Sequence, residues 1–155
     1  MIVNYSDEPV NRTSRSIFLA GPTPRKKEVQ SWRPDALKIL DALGYTGVVY
    51  VPERKTWAAG FDYDTQVEWE WSALDACGTV AFWIPRQIPD MPAFTTNVEF
   101  GMMMGSGKVL YGRPDNAVKC GYLDRLFKRF YHRDPANSLH NLMTSAFWTI
   151  HIKEG

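Results

Sequence analysis

A chain of 155 residues with a formal charge of +1 is one domain long and carries no field that would draw nucleic acid or a membrane surface. Its 45% hydrophobic and 23% charged residues are globular composition and exclude a disordered chain. Cys77 and Cys120 are too few for a disulfide scaffold, Met1–Glu8 lacks a signal-peptide charge pattern, and no apolar run approaches a membrane span, so the expectation is a reduced, cytoplasmic protein.

Residues 1–15 are polar, with Pro9 and Asn11, and read as an irregular N-terminal arm on a single domain that spans 1–155. Ser16–Ala20 is a short apolar run stopped by Gly21-Pro22, the pattern of a buried strand. Ser31 is placed as an N-cap, Pro34 falls in a first helical turn, Ala36, Leu37, Leu40 and Leu43 recur at helical spacing, and Gly44 closes the helix. Val48–Val51 is a second strand, ended by Pro52, and Glu53 to Phe61 reads as a mobile loop. Asp64 caps a helix that runs to about Cys77, with Val67, Trp71 and Leu74 as its inner stripe. By the helical step Glu70 lies about 60° from Val67, Glu68 about 100° off on the other side, and Trp69 points away.

Thr79–Ile84 is a third buried strand, followed by a loop through Asp90 and a helix that follows Thr96. Gly101–Lys108 has the glycines of a phosphate loop, but they close a helix and open a strand, the reverse of the required order, and Val109 stands where Ser or Thr is needed. Lys108–Tyr111 is a fourth strand. Tyr122, Leu123, Leu126, Phe127 and Phe130 then mark an amphipathic helix whose Arg125, Lys128, Arg129 and Arg133 form a solvated basic face, and Leu139, Leu142, Met143, Ala146 and Phe147 mark a last one. Strands alternating with helical patterns predict βαβ units and an open parallel sheet with helices on both faces. His132, His140 and His151 lack metal-site spacing, so no metal is expected.

That topology gathers Gly21, Arg25, Glu70 with Glu68 as an alternative, Asp90, Asn97 and Glu99 at the carboxyl ends of the strands, where open α/β sheets bind ligands. Two carboxylates in one pocket suit glycosyl chemistry, one attacking an anomeric carbon and the other moving a proton or positioning the nucleophile. Glu99 falls in the first turn of its helix, where the dipole favours the ionised form. Thr96-Asn97-Val98-Glu99 equally fits a capping box, in which Glu99 is structural. Phe18 and Trp83 either line the pocket or belong to the core.

Ile17–Pro22, Ser31–Pro34, Gln66–Trp71, Phe82–Pro85 and Thr95–Gly101, in that order over about residues 16–112, resemble the nucleoside 2-deoxyribosyltransferase-like family and a bacterial and phage branch of it. The resemblance implies a flavodoxin-like or Rossmann-like domain that cleaves the N-glycosidic bond of a (2-deoxy)ribonucleoside or its 5′-monophosphate. It implies Glu99 as the nucleophile that forms a covalent glycosyl ester, and Glu70, rather than Glu68, as the second carboxylate. It further implies a substrate-binding set of Phe18, Gly21, Arg25, Asp90 and Asn97, transfer to another base or to water, no cofactor, and a homo-oligomer. Phe18 stands where several transferases carry a tyrosine, and Glu70 replaces a shorter aspartate. Arg25 and Trp32-Arg33 offer a place for a 5′-phosphate. The rival readings are a non-catalytic nucleotide-binding or sensing module with the same pocket, and an interaction protein whose Glu99 is only a cap.

Overall fold

The computed structural model describes residues 1–56 and 62–154. Among them, β1 (Ile2–Tyr5), β2 (Ser16–Ala20), β3 (Val48–Val51), β4 (Thr79–Trp83) and β5 (Val109–Gly112) form one all-parallel sheet in the order β1-β3-β2-β4-β5. The helices are α1 (Arg33–Ala42), α2 (Tyr63–Ala76), α3 (Phe94–Met103), α4 (Gly121–Tyr131) and α5 (Leu139–Glu154). Counted from β2, the order matches the first four strands of the flavodoxin arrangement, and β1 is added outside β3. No helix of the described residues is long and apolar enough to cross a membrane.

Every residue of β2 is buried, because the strand is covered on both faces; that is why it reads as a continuous apolar run instead of an alternation. Ile17 and Leu19 face α1 and α5, in a cluster with Ala36, Leu40, Leu142, Met143 and Ala146. Phe18 and Ala20 face the other way, onto Trp69, Ala73, Phe100 and Phe127 of α2, α3 and α4. β2 and β3 occupy the expected bounds, β4 ends one residue early at Trp83, and β5 is shifted by one to include Gly112.

α1 ends as its sequence predicts. Gly44 has φ +76°, its N–H donates to Asp41 O (2.9 Å), and the Tyr45 N–H donates to Leu40 O (3.0 Å), which together satisfy two terminal carbonyls. At the other end Trp32, not Ser31, is the N-cap residue, and Ser31 Oγ accepts the Arg33 N–H (3.2 Å) from one position farther out.

Three expectations are corrected. Residues 2–5 of the supposed irregular arm are an edge strand, registered Ile2 to Val48 through Tyr5 to Val51. Asn4 is buried there because its Nδ2 donates to Pro9 O (3.1 Å) and its Oδ1 accepts the Asn11 N–H (2.8 Å), so the polar side chain folds the following turn. α2 is rotated from the expected stripe. Trp69 is buried and Trp71 is half exposed, because the Trp69 ring packs on Phe18 and Tyr50 at 6.3 Å each while its Nε1–H donates to Glu8 O (2.8 Å). On α4, Leu123 and Phe127 are buried but Tyr122 and Phe130 are exposed, so the buried stripe is narrower than the apolar pattern. The loop expected from Glu53 to Phe61 lies, over residues 57–61, outside the described residues.

Candidate functional site

The chain leaves β2 toward β3 on one side and later returns to β4 on the other. The loops after β2 and β4 therefore diverge and open a crevice beyond the carboxyl ends of the strands. The crevice is a cleft of about 230 Å³ walled by Gly21, Pro22 and Arg25 after β2, Pro52 after β3, Gln66 and Glu70 of α2, Thr96 and Glu99 of α3, and Arg33 of α1. Gly21 is required at its place. Its φ is +151°, and a Cβ there would lie 2.1 Å from Trp83 O and 2.9 Å from the Trp32 ring. A roomier hollow of about 490 Å³ lies on the other side of Gln66. Its acids are ordinary anions: backbone hydrogen bonds hold Asp7 and Glu8 below the usual carboxylate range, and Thr65 does the same for Asp62.

Glu99 is different. It is buried at 8% exposure, and burial first, then the neighbouring charge of Glu70 and the hydrogen bond between the two carboxyls, push it from 4.5 up to about 8. Arg33 pulls the other way without prevailing. Glu99 thus holds its proton at neutral pH, beside the Glu70 carboxyl in the same cleft. Burial and Glu70 outweigh the expected dipole effect, which is also weakened because α3 begins at Phe94, three residues before the expected first helical residue Asn97, after Ala93 in the left-handed region (φ 60°). With Phe94 as the first helical residue Glu99 is the sixth, past the turn where the dipole acts. The capping box is overturned by the same shift: Thr96 lies inside the helix and no side chain caps it.

Glu70 reaches the cleft while Glu68, two residues back, is exposed elsewhere, so the pattern Gln66-Val67-Glu68-Trp69-Glu70 resolves to one carboxylate. Gln66, one helical turn earlier on the same face, donates from Nε2 to Glu70 Oε1 (2.7 Å). Sequence reading passed over Gln66, although its i, i+4 spacing to Glu70 was visible.

Arg33 sits at 1% exposure beneath the glycine turn. Its Nε donates to Leu19 O (3.1 Å), Nη1 to Thr23 Oγ1 (3.1 Å) and Glu53 Oε1 (2.6 Å), and Nη2 to Gly21 O (2.7 Å). Four of the five guanidinium N–H groups are thereby occupied. Arg33 thus serves mainly to anchor the glycine turn, with one N–H left for a ligand. Glu53, which no motif marked, receives both Arg33 and the Ser31 hydroxyl (2.6 Å).

Gly21 and Arg25 line the cleft as expected, and Arg25 lies 5.7 Å from the centroid of Phe94, an exposed ring at the mouth. Tyr63, also exposed, is a second aromatic wall that sequence reading missed. The other expected contacts are elsewhere. Phe18 is fully buried, packed on Tyr50 and Trp69, and is core; so is Trp83, on the opposite face. Asp90 pairs with Lys26 (2.8 Å), and its carbonyl accepts the Arg25 N–H (3.3 Å), so it ties two loops together outside the cleft lining. Asn97 points away and accepts a hydrogen bond from Arg86 Nη2. Among the described residues no group of three His, Cys, Asp or Glu side chains is placed to hold a metal ion.

The chain matches none of the curated proteins. Residues 14–117, about two thirds of its 155 residues, do match the family model described as nucleoside 2-deoxyribosyltransferase like. That match runs from the approach to β2 to the loop before α4 and includes both cleft carboxylates, and on its strength the chain belongs to the nucleoside 2-deoxyribosyltransferase-like family.

Proposed function

We propose that the protein cleaves the N-glycosidic bond of a (2-deoxy)ribonucleoside or nucleoside 5′-monophosphate by double displacement, with Glu99 as nucleophile and Glu70 as acid and base. The observation that carries this reading is the pair itself: two carboxyl groups, Glu70 and Glu99, lining one cleft, with Glu99 buried beside the charge of Glu70 and raised to about 8. Retaining glycosyl chemistry needs one ionised and one protonated carboxyl side by side. A pair that shares one proton supplies both forms, and the proton moves to Glu70 when Glu99 becomes the nucleophile. A Glu99 oxygen attacks C1′, the C1′–N bond breaks, and the departing base takes the proton from Glu70. Glu70, now a carboxylate, removes a proton from water or an incoming base, which attacks C1′ and releases Glu99 as a carboxylate. No step needs a metal or an organic cofactor.

Self-association belongs to the same reading. Phe94, Val98 and Met102 recur every fourth residue along α3 and leave one exposed apolar face on the helix that carries Glu99. Sedimentation at several concentrations would show a single monomeric species if that face is unpartnered.

The deciding experiment is chromatography of nucleosides and their 5′-monophosphates, deoxy and ribo, incubated with the protein with and without a free acceptor base. Base release or exchange that disappears in Glu99→Ala is the expected result, and dependence on acceptor separates transfer from hydrolysis. No product across the panel, with calorimetric binding retained, would overturn the enzymatic reading in favour of a sensing module. The pH profile adds a sign. The working pair holds one proton, so base release falls as pH rises through about 8. A rate that climbs through that range would remove Glu70 from the role of acid.

A further inference from the structure

A buried arginine with a carboxylate at 2.6 Å is ordinarily a closed structural pair, but Arg33 is open on one side. Four N–H groups are committed to Leu19 O, Thr23, Glu53 and Gly21 O, and the remaining one belongs to Nη2, the nitrogen that holds the glycine turn at the cleft wall. Arg33 lines the same cleft as Glu70 and Glu99 and is attracted to both. Arg33 is the cation whose charge pulls against the rise of Glu99. The groups that face the carboxyl pair are therefore Arg33 from α1, backed by Glu53 from the loop after β3, with Arg25 and Tyr63 farther out on the cleft wall.

We propose that the Arg33–Glu53 ion pair is a positioning element that sets the protonation of the Glu70–Glu99 pair: Arg33 supplies the opposing positive charge in the cleft the two carboxyls line, and Glu53 limits how much of that charge they feel. Geometry makes the arrangement hard to alter by chance. The side chain that delivers the charge also holds the carbonyls of Leu19 and Gly21, so it cannot swing away without loosening the turn beside the carboxyls. Glu53 is fixed in turn by Ser31 Oγ, and its own backbone carbonyl accepts the Ser6 N–H (3.0 Å). The charge is rigid on both sides, which is what electrostatic preorganisation requires.

The signs follow from Coulomb's law. Removing Arg33 takes away the positive charge, so the pair holds its shared proton to higher pH. Removing the charge of Glu53 leaves Arg33 unopposed, so the pair gives the proton up at lower pH. A merely structural role for the ion pair predicts no such opposition, because both substitutions weaken the same contact.

The test is a ¹³C NMR titration of glutamate-labelled full-length protein, with the Glu99 carboxyl assigned by its loss in Glu99→Gln. Arg33→Met is expected to move its titration upward by about one pH unit, and Glu53→Gln, which keeps an oxygen for Ser31 and Arg33, downward by about half a unit to one. Opposite shifts support the proposal; no shift, or shifts of the same sign, overturn it. Should Arg33→Met fail to fold, Glu53→Gln decides alone, and the lack of a downward shift overturns the proposal. The alkaline limb of base release should move with each titration. This catalytic arm rests on the reading of Glu70 and Glu99 as the reacting pair. The titration is read in the resting protein, so absence of turnover and absence of the shift are separate failures.

Discussion

Asp124 and Glu99 are both carboxylates near the carboxyl edge of the same sheet, one beside β5 and one beyond β4, and their surroundings push them in opposite directions. Burial raises both. At Asp124 it is outweighed by Arg113, whose Nε and Nη2 bond the two carboxylate oxygens at 3.0 and 2.7 Å, and by the Tyr111 hydroxyl at 2.9 Å. The carboxyl is held below the usual range and the guanidinium is raised in return, chiefly by the same hydrogen bonds. Glu99 has burial without that compensation. Its nearest partner is another carboxylate, and the arginine below is already committed to Glu53 and three other acceptors. A carboxylate with its own cation is at rest; one that must share a proton with its neighbour is poised to react.

The largest expected effect tests that contrast in turnover. Glu99→Ala should lower base release by about a thousandfold or more, since the covalent route is lost. Asp124→Ala should leave the rate within a few-fold, measured at a temperature where both variants are folded. Comparable losses would mean that the contrast between the two carboxylates says nothing about chemistry.

Stability sharpens the same contrast with opposite signs. In the folded chain Glu99 keeps its proton to about pH 8, against 4.5 for an ordinary glutamate. The stability it brings is therefore whole below the lower value and is lost as pH rises through the higher one. Glu99→Gln removes that loss, so above about pH 8 the variant should be more stable than the wild type by about 2–4 kcal/mol, with near equality in acid. A cap role for Glu99 predicts a loss at every pH instead, and urea titrations across the range would separate the two. Asp124→Ala should cost about 2–3 kcal/mol by leaving Arg113 and Tyr111 unpaired at a half-buried site. An unchanged urea midpoint would show that pair to be surface decoration.

How far these features were legible depended on where the signal resided. β2 and β3 could be read to the residue because a strand covered on both faces needs a continuous apolar run, and Gly21-Pro22 and Pro52 punctuate the ends. β1 could not: its information is in backbone pairing with β3, and its Asn4 looks like loop sequence until its turn contacts are seen. The two tryptophans of α2 were exchanged because periodicity fixes a stripe only to within a residue or so, and a hydrogen bond from Trp69 to Glu8 O decided the rotation. Glu99 and Glu70 were legible as candidates from spacing and resemblance. Their electrostatics were not, because the sign is set by burial of Glu99 and by the charge of Glu70 beside it, which only the packed structure brings together, while Arg33 is tied to Glu53, a residue without a motif. Asp90 and Asn97 were placed by the topology and the resemblance, and each is held by a cation instead.

The smallest expected effect concerns the two arginines of the cleft, and it separates charge that is built in from charge that is on offer. Arg33 has one N–H to spare, whereas Arg25 stands beside Phe94 at the cleft wall without an ion pair among the described residues. A 5′-phosphate entering with its sugar over Glu99 would meet Arg25 as the cation still able to form a charge-assisted pair. Such a contact in a solvent-open wall is worth about 1.4 kcal/mol, a tenfold change in affinity. Arg25→Ala should therefore raise KM for nucleoside 5′-monophosphates about tenfold and leave nucleosides unchanged, with kcat preserved for both. An equal loss for nucleosides would place Arg25 against the base or the sugar, and the aromatic partner would explain it: without the guanidinium Phe94 loses its stacking neighbour, and the wall that any nucleoside touches changes shape.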